Sequence, residues 1–506
     1  RGDLEGIFQL ESSGMRQIVK DLKPSSLEDI SSILALYRPG PLDAGLIPKF
    51  INRKHGKESI DFQHQSLEPI LSETYGIMVY QEQIMKIAQD LAGYSLGQAD
   101  LLRRAMGKKK VSEMQRHRTL FVDGAVKNGV TDVIAEQLFD QMVLFAEYCF
   151  NKSHSTAYGA VTYQTAYLKA HYPVAYMAAL LTVNAGSVDK IQRYISNCNS
   201  MGINVMPPNI NTSGVDFTPK DNSILFGFSA VKNLGDGAIR KIITSRDEDG
   251  EFTSLAQFCD RISLSSVNRR GLEALIHSGA LDCLEKNANR AQLIADLDLT
   301  IEWASSRAKD RTSGQGNLFD LSNSTNNESS PTDDYSSAPK AKEVQEYLPS
   351  DKLKLEKEHV GFYLSDHPLK QLSEPAKLIA PISLSSLEDQ KDKSKVSVIA
   401  MIPEMREVTT RKGDRMAIIQ LEDLTGSCEA VVFPKSYERL SDHLMVETRL
   451  LIWGSVDRRD ETVQLLIDDC REIDDLRFLL IDLRPDQATD INIQHKLREC
   501  LSKNRP

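Results

Sequence analysis

Cross-linking chemistry is scarce in this sequence. Seven cysteines in 506 residues, Cys149, Cys198, Cys259, Cys283, Cys428, Cys470 and Cys500, stand at least 24 positions apart. That spacing offers neither a Cys-x-x-Cys zinc pattern nor a dense disulfide framework. With no signal peptide in the sequence as given, the expectation is reduced thiols in the cytoplasm. Long apolar runs are missing too: the longest, Val174 to Val183, is broken by Tyr176 and Thr182. It is about half the ~20 residues a spanning helix needs, so no membrane segment is expected. Net positive charge is also lacking, since 61 Lys and Arg against 71 Asp and Glu leave −10; any nucleic-acid binding must come from local patches. The sequence starts at Arg1 rather than Met, in the middle of an amphipathic pattern, and shows no fixed-period repeat. It therefore reads as an internal piece of a longer protein.

What is present suits soluble globular protein: 41% apolar, 26% charged and 7% aromatic residues, a mixture that excludes collagen-like and wholly disordered classes. At roughly 150 residues per domain the length implies about three or four domains. Residues 1–205 read as successive amphipathic helices punctuated by Pro and Gly, such as Pro24 to Tyr37 and Ile134 to Phe145. Residues 206–290 read as a small α-rich module with glycine turns, and 291–345 as a helix followed by a polar linker. Residues 346–389 form a helical connector. Within 390–475, five β-rich runs (Lys395 to Met401, Ala417 to Leu421, Ala430 to Phe433, Leu450 to Val456 and Val463 to Ile467) predict a small barrel. Residues 476–506 start a further domain without finishing it. The predicted fold class is multidomain, mainly α, followed by a small β-barrel.

Chemistry concentrates at two places in the first block. Residues 101–118 hold seven cations (Arg103, Arg104, Lys108, Lys109, Lys110, Arg116, Arg118) against Glu113, a local +6. The capping box Ser95-Leu96-Gly97-Gln98 predicts a helix from about Leu96 to Gly107. In that helix Arg104 and Lys108 share a face while Leu101, Leu102 and Ala105 pack inward. The second place is Phe150-Asn151-Lys152-Ser153-His154-Ser155-Thr156-Ala157-Tyr158-Gly159, just before an apolar helix. A point cation, hydroxyl donors and free backbone N–H groups at a helix start are what phosphate oxygens bind. A third motif, Tyr37-Arg38-Pro39-Gly40-Pro41-Leu42, fixes an arginine on a rigid turn.

Together with Gly6-Ile7-Phe8-Gln9-Leu10-Glu11-Ser12 and Val79-Tyr80-Gln81-Glu82-Gln83, these motifs resemble the fingers domain of the bacterial replicative polymerase, the α subunit of DNA polymerase III. The resemblance implies that Arg38, Arg103, Arg104, Lys108, Lys109, Asn151, Lys152, Ser153 and His154 line a cleft for an incoming deoxynucleoside triphosphate and template. Ala146-Glu147-Tyr148-Cys149-Phe150-Asn151 is similar to the cyanobacterial version, in which an intein joins split halves just before Phe-Asn. The family holds catalytic Mg²⁺ with palm aspartates that lie before residue 1, so this chain is expected to bind no metal and to be inactive alone. Asp296-Leu297-Asp298 sits in a helical pattern, where i and i+2 face different ways.

Downstream, Ala230-Val231-Lys232-Asn233-Leu234-Gly235-Asp236-Gly237-Ala238-Ile239 has a helix-hairpin-helix pattern. Its Gly235 and Gly237 admit duplex phosphates to backbone N–H groups, with charge from Lys232, Arg240 and Lys241. Asn268-Arg269-Arg270-Gly271 suits a second, degenerate copy. In the linker, Gln315-Gly316-Asn317-Leu318-Phe319 places two apolar residues in a polar tract. It looks like the family's sliding-clamp peptide, with Gln315, Leu318 and Phe319 as contacts. The barrel resembles an OB-fold whose Arg406, Arg411, Lys412, Arg415 and Phe433 would bind single-stranded DNA. The resemblance further implies a clamp-loader tau subunit at the C-terminal region and a proofreading exonuclease subunit on the amino-terminal domain, with primer-template DNA as substrate. The alternative is a stand-alone nucleic-acid-binding or scaffold protein.

Overall fold

The computed structural model describes residues 2–107, 111–146, 148–262, 266–284, 289–313, 335–370, 378–410, 412–459, 462–473, 483, 487 and 490–503. Two compact units result, Arg1–Pro368 and Leu369–Pro506.

The first unit is mainly helical and has three apolar centres. One gathers Leu22, Ile33, Leu36, Phe50 and Tyr80 from the helices Ser13–Leu22, Leu27–Leu36 and Leu46–Lys54 and the segment after them. A second lies among the helices Gln81–Ala92, Leu96–Gly107, Val111–Lys127 and Asp132–Ala146, around Ile87, Leu102, Phe121, Leu138 and Met142. Gly124 permits their close approach, because a Cβ there would stand 2.2 Å from the Ala92 carbonyl oxygen.

The third centre runs from Met177 to Phe362. It includes the helices Pro173–Val183, Val188–Ser200, Asp236–Asp249, Leu255–Arg261, Arg269–His277, Arg290–Ser313 and Pro349–Val360. Packing therefore crosses the borders drawn from sequence at residues 205, 290 and 345, since apolar faces on both sides of each border share one core. A small sheet of β1 (Asn204–Met206), β2 (Thr218–Lys220) and β3 (Ser223–Leu225) accompanies it in the order β1-β3-β2.

The second unit is a closed barrel of β4 (Lys395–Thr409), β5 (Arg415–Glu422), β6 (Ser427–Val432), β7 (Arg449–Arg459) and β8 (Thr462–Glu472), ordered β4-β5-β6-β8-β7. Val398, Ala400, Ile419, Ala430, Ile452 and Leu465 alternate inward and fill it. Closure removes the edges an open sheet would expose. No described helix is long and apolar enough to cross a membrane.

Candidate nucleotide and DNA interface

The site is built on the short segment that precedes the helix Gln81–Ala92. Tyr80 bridges to Phe150 in parallel; Phe150 N–H donates to Val79 O and Gln81 N–H to Phe150 O, both at 2.9 Å. Gln83, only 4% exposed, locks this segment. Its Oε1 accepts from Val79 N at 2.9 Å and Tyr80 N at 3.0 Å, while Nε2 donates to Thr74 Oγ1 at 2.8 Å and Ile70 O at 3.2 Å. The buried Tyr80 phenol donates to Ser31 Oγ at 3.0 Å, and Ser31 Oγ in turn lies 2.9 Å from Ser155 Oγ. Burial raises the phenol pKa, against the lowering effect of its serine partners. This hydroxyl chain pins the helix Lys152–His171 to Leu27–Leu36.

Asn151 caps the helix Lys152–His171, its Oδ1 accepting from His154 N at 2.9 Å. The start of this helix is not open, contrary to the expectation of free N–H groups. Glu82 accepts from Lys152 N at 2.9 Å and from Asn151 Nδ2 at 2.8 Å. Glu73 takes the Lys152 ammonium with both carboxylate oxygens, at 2.7 and 2.8 Å. Lys152 Nζ also lies 5.5 Å from the Tyr80 ring centroid. The exposed His154 ring sits 4.5 Å from Tyr158 and 5.3 Å from Phe150, and Tyr158 lies 5.4 Å from Phe8. Ser153 is exposed on the same first turn.

The helix Leu96–Gly107 starts with Ser95 N donating to Gln98 Oε1 at 2.9 Å and Gln98 N donating to Ser95 Oγ at 3.3 Å. Leu102 and Ala105 are buried, but Leu101 is 59% exposed rather than packed inward. Its angular position leaves it at the edge of the apolar stripe. Arg103 and Arg104 share one acceptor: Asp100 lies 2.7 Å from Arg103 Nη2 and 2.9 Å from Arg104 Nε. The hydrogen bond from Arg103, and then the nearby Arg104 charge, hold the Asp100 carboxyl below its usual range. Arg103 Nη1 also donates to Gln81 Oε1 at 3.3 Å. The cation-rich stretch is thus partly neutralised by Asp100 just outside it, and by Glu136 and Asp140, which pair with Arg118. Lys108 and Lys109 lie outside the described residues.

Arg38 turns inward. Its Nε donates to Ala35 O at 2.8 Å, Nη2 donates to Tyr148 O, and its guanidinium carbon stands 4.5 Å from the Phe150 ring centroid. Burial lowers its pKa. These contacts brace residues 148–150. The neighbouring Cys149 is buried, which pushes its thiol up to about 12. Such a thiol is inert at neutral pH.

In the hairpin module the element before the turn is the 3₁₀ turn Phe228–Ala230, not a full helix. The helix Asp236–Asp249 then starts at Gly235 without any side-chain cap. A Cβ at Gly235 or Gly237 would meet nothing within 4 Å, and Gly235 has an ordinary φ of −83°. These glycines leave room for an approaching group; the left-handed residue of the turn is Asn233. Arg240 pairs with Asp236 at 2.7 Å, Lys241 is exposed, and Lys232 Nζ donates to Glu358 O at 3.0 Å. Gly271 of the second motif abuts Leu234 and Asn233, since its Cβ would lie 3.3 Å from Leu234 Cδ2. The two motifs are therefore packed together. Asp296 and Asp298 diverge: Asp296 accepts from Ala341 N at 2.7 Å and Gln292 Nε2 at 2.9 Å, while Asp298 pairs with Arg269.

On the barrel, Arg406 and Phe433 are exposed, as are Lys412 and Arg415. Arg406 pairs in register with Ile418, and Thr409 with Arg415. Residues 415 and 418 point to opposite faces of β5, so Arg406 and Arg415 do not form one surface. Tyr437 hydrogen-bonds Glu407, which, with burial second, raises the phenol pKa, while the Arg415 charge lowers it. Arg411, Gln315, Leu318 and Phe319 lie outside the described residues. Sequence reasoning missed Glu73, Glu82, Gln81 and Asp100 as site residues. Gln81 and Glu82 stood inside a quoted motif, but nothing local says which cation a carboxylate will meet.

Three family models match this chain: the bacterial DNA polymerase III alpha subunit finger domain over residues 1–129, a helix-hairpin-helix motif over 202–293, and an OB-fold nucleic acid binding domain over 396–473. It is similar to the DNA polymerase III subunit alpha of Thermus aquaticus, 44% identical over 470 residues, which is 91% of this chain and 37% of that protein. The Bacillus subtilis (strain 168) counterpart is 41% identical over 477 residues, covering 94% of this chain and 41% of its own length. That of Escherichia coli O157:H7 is 37% identical over 520 residues, 100% of this chain and 44% of its own. The chain spans about two-fifths of the length of these curated relatives.

Proposed function

The chain belongs to the bacterial DNA polymerase III alpha subunit family, and from that premise we propose that it grips the incoming deoxynucleoside triphosphate and primer-template DNA during template-directed DNA synthesis. One observation carries the reading. Two cationic motifs far apart in sequence meet on one segment, where Gln81 holds Arg103 and Glu82 holds Asn151 and Lys152. Phosphoryl transfer needs cations fixed around the triphosphate. Arg103 and Arg104 supply planar forks and Lys152 a point charge, with Ser153 and His154 beside it on the exposed first turn.

The hairpin module follows the duplex through the open start at Gly235 and Gly237, in contacts indifferent to sequence. The barrel takes single-stranded template, and the peptide around Gln315, Leu318 and Phe319 takes the sliding clamp. Tau and the exonuclease subunit are further proposed partners of the whole protein. Among the described residues no group of three His, Cys, Asp or Glu side chains could hold a metal ion. No step here runs through a metal held by this chain.

The test uses the full-length polymerase. Deoxynucleoside triphosphate should tighten its hold on a primer end, and Arg103→Ala or Lys152→Ala should abolish that tightening while salt-dependent DNA binding persists. Tightening unaffected by both substitutions would sink the reading. Clamp binding is tested by a Leu318→Ala, Phe319→Ala double variant, which should lose it.

A further inference from the structure

Glu73 is held where it is by its neighbours. It lies on the 3₁₀ turn Ser72–Thr74. The fully buried Thr74 donates through Oγ1 to Ile77 O at 2.6 Å and accepts from Gln83 Nε2 at 2.8 Å. Tyr75, in the left-handed region at φ 53°, bonds Asp29 Oδ1 through its phenol at 2.9 Å. The backbone that follows Glu73 is thus fixed, and the Glu73 carboxylate leaves Lys152 by side-chain rotation. Both partners are partly exposed, 33% for Glu73 and 40% for Lys152, so the carboxylate can turn into water.

Glu82 is placed differently. It receives the Lys152 N–H and the Asn151 amide, so its departure would uncap the start of the helix. A phosphate arriving at the Lys152 ammonium would make a third anion beside one cation, and only Glu73 is free to yield. A monophosphate would exchange one ion pair for another. A polyphosphate can reach for further cations: Arg103 bonds Gln81, the residue before the Glu82 that holds Lys152 N, and Arg104 shares Asp100 with Arg103.

We propose that Glu73 is a specificity-determining residue of the nucleotide site: its carboxylate occupies the Lys152 ammonium and gives it up to a polyphosphate but not to a singly phosphorylated anion. This rests on reading the Lys152 site as a triphosphate site. Glu73 acts as a built-in competitor: it raises the concentration that every phosphate ligand needs by the same factor, which carries a weakly held orthophosphate out of range before a tripolyphosphate.

The experiment measures acetylation of Lys152 by limiting acetic anhydride, mapped by mass spectrometry, in the 506-residue chain. Wild type is compared with Glu73→Gln and Glu73→Ala, with inorganic tripolyphosphate or orthophosphate as the probe. Without ligand, Lys152 should acetylate faster in both variants than in wild type. Tripolyphosphate should protect Lys152 in all three, with half-protection at a concentration about two- to five-fold lower in the variants, the size of one exposed ion pair. Orthophosphate should protect the variants at concentrations that leave wild type unprotected. Equal half-protection in wild type and both variants would overturn the role of Glu73 while leaving the phosphate site standing. Absence of tripolyphosphate protection in every protein would overturn the phosphate site, and the selectivity role with it.

Discussion

Two helix starts in the first unit meet anions in opposite ways. At Asn151–Lys152 the start is filled: the side chain of Asn151 and the carboxylate of Glu82 satisfy the first N–H groups, and Glu73 occupies the neighbouring ammonium. At Gly235–Asp236 it is open, with no side-chain cap and nothing where a Cβ would stand. The N–H groups of Asp236, Gly237 and Ala238 precede the first helical bond there, from Ile239 N to Gly235 O at 3.1 Å. Under the proposed function, the difference teaches how a phosphate would be chosen. A filled start demands that the ligand outbid carboxylates already in place, which favours highly charged ligands. An open start accepts any phosphate that fits, which suits a DNA backbone followed without regard to sequence.

The largest effect should come from breaking the support beneath the filled start. Gln83→Ala leaves the buried N–H groups of Val79 and Tyr80 and the acceptors on Ile70 and Thr74 without their partner. Unsatisfied buried groups are costly, and the expected loss is about 3 kcal/mol by urea unfolding followed by circular dichroism. A loss below about 1 kcal/mol would mean that water replaces the amide. Lys152 acetylation should rise in the same variant, because Glu73 and Glu82 flank the segment that Gln83 holds.

The open start should respond in the reverse manner, with binding affected and stability spared. Gly235→Val places its branches in empty space on extended backbone that any residue adopts. Unfolding should shift by no more than about 0.5 kcal/mol. Duplex DNA affinity should fall about ten-fold, the size of a lost charge-assisted hydrogen bond, in fluorescence anisotropy at fixed salt. Unchanged affinity would show that the hairpin glycines do not face phosphate.

Local features of the two starts were legible in the sequence, and tertiary ones were not. The Ser95 to Gln98 capping box spans three positions and could be read directly, as could the five alternating runs that close into the barrel. The crowding of Asn151, Lys152, Ser153 and His154 at the filled start was visible too, and it is what motivates the phosphate-binding proposal. The carboxylates opposing it could not be read, because Glu73 and Glu82 are 79 and 70 positions from Lys152. The Tyr80–Phe150 bridge and the Gln83–Thr74 bond bring them together. The inward contact of Arg38 was hidden for the same reason, since its acceptor Tyr148 is 110 positions away. On the barrel, the relative faces of Arg406 and Arg415 depend on the register of the β4–β5 hairpin, in which Thr409 lies opposite Arg415. Residue counts along one strand do not contain that register.

The smallest effect separates the cap of the filled start from its charge. Asn151→Ala removes the acceptor for His154 N and the donor to Glu82 Oε1, but leaves Lys152 N bonded to Glu82 Oε2. A lost N-cap costs about 1 kcal/mol, and urea unfolding should register about that much. Asn151→Asp restores the cap acceptor, and a carboxylate favours the positive end of the helix. It also sets a second carboxylate against Glu82 and a third anion beside Lys152. Stability should recover in part, while half-protection of Lys152 by tripolyphosphate should move to higher concentration. If Asn151→Asp instead restored both stability and phosphate protection, repulsion among carboxylates would not govern this start, and the contrast with the open start at Gly235 would reduce to shape alone.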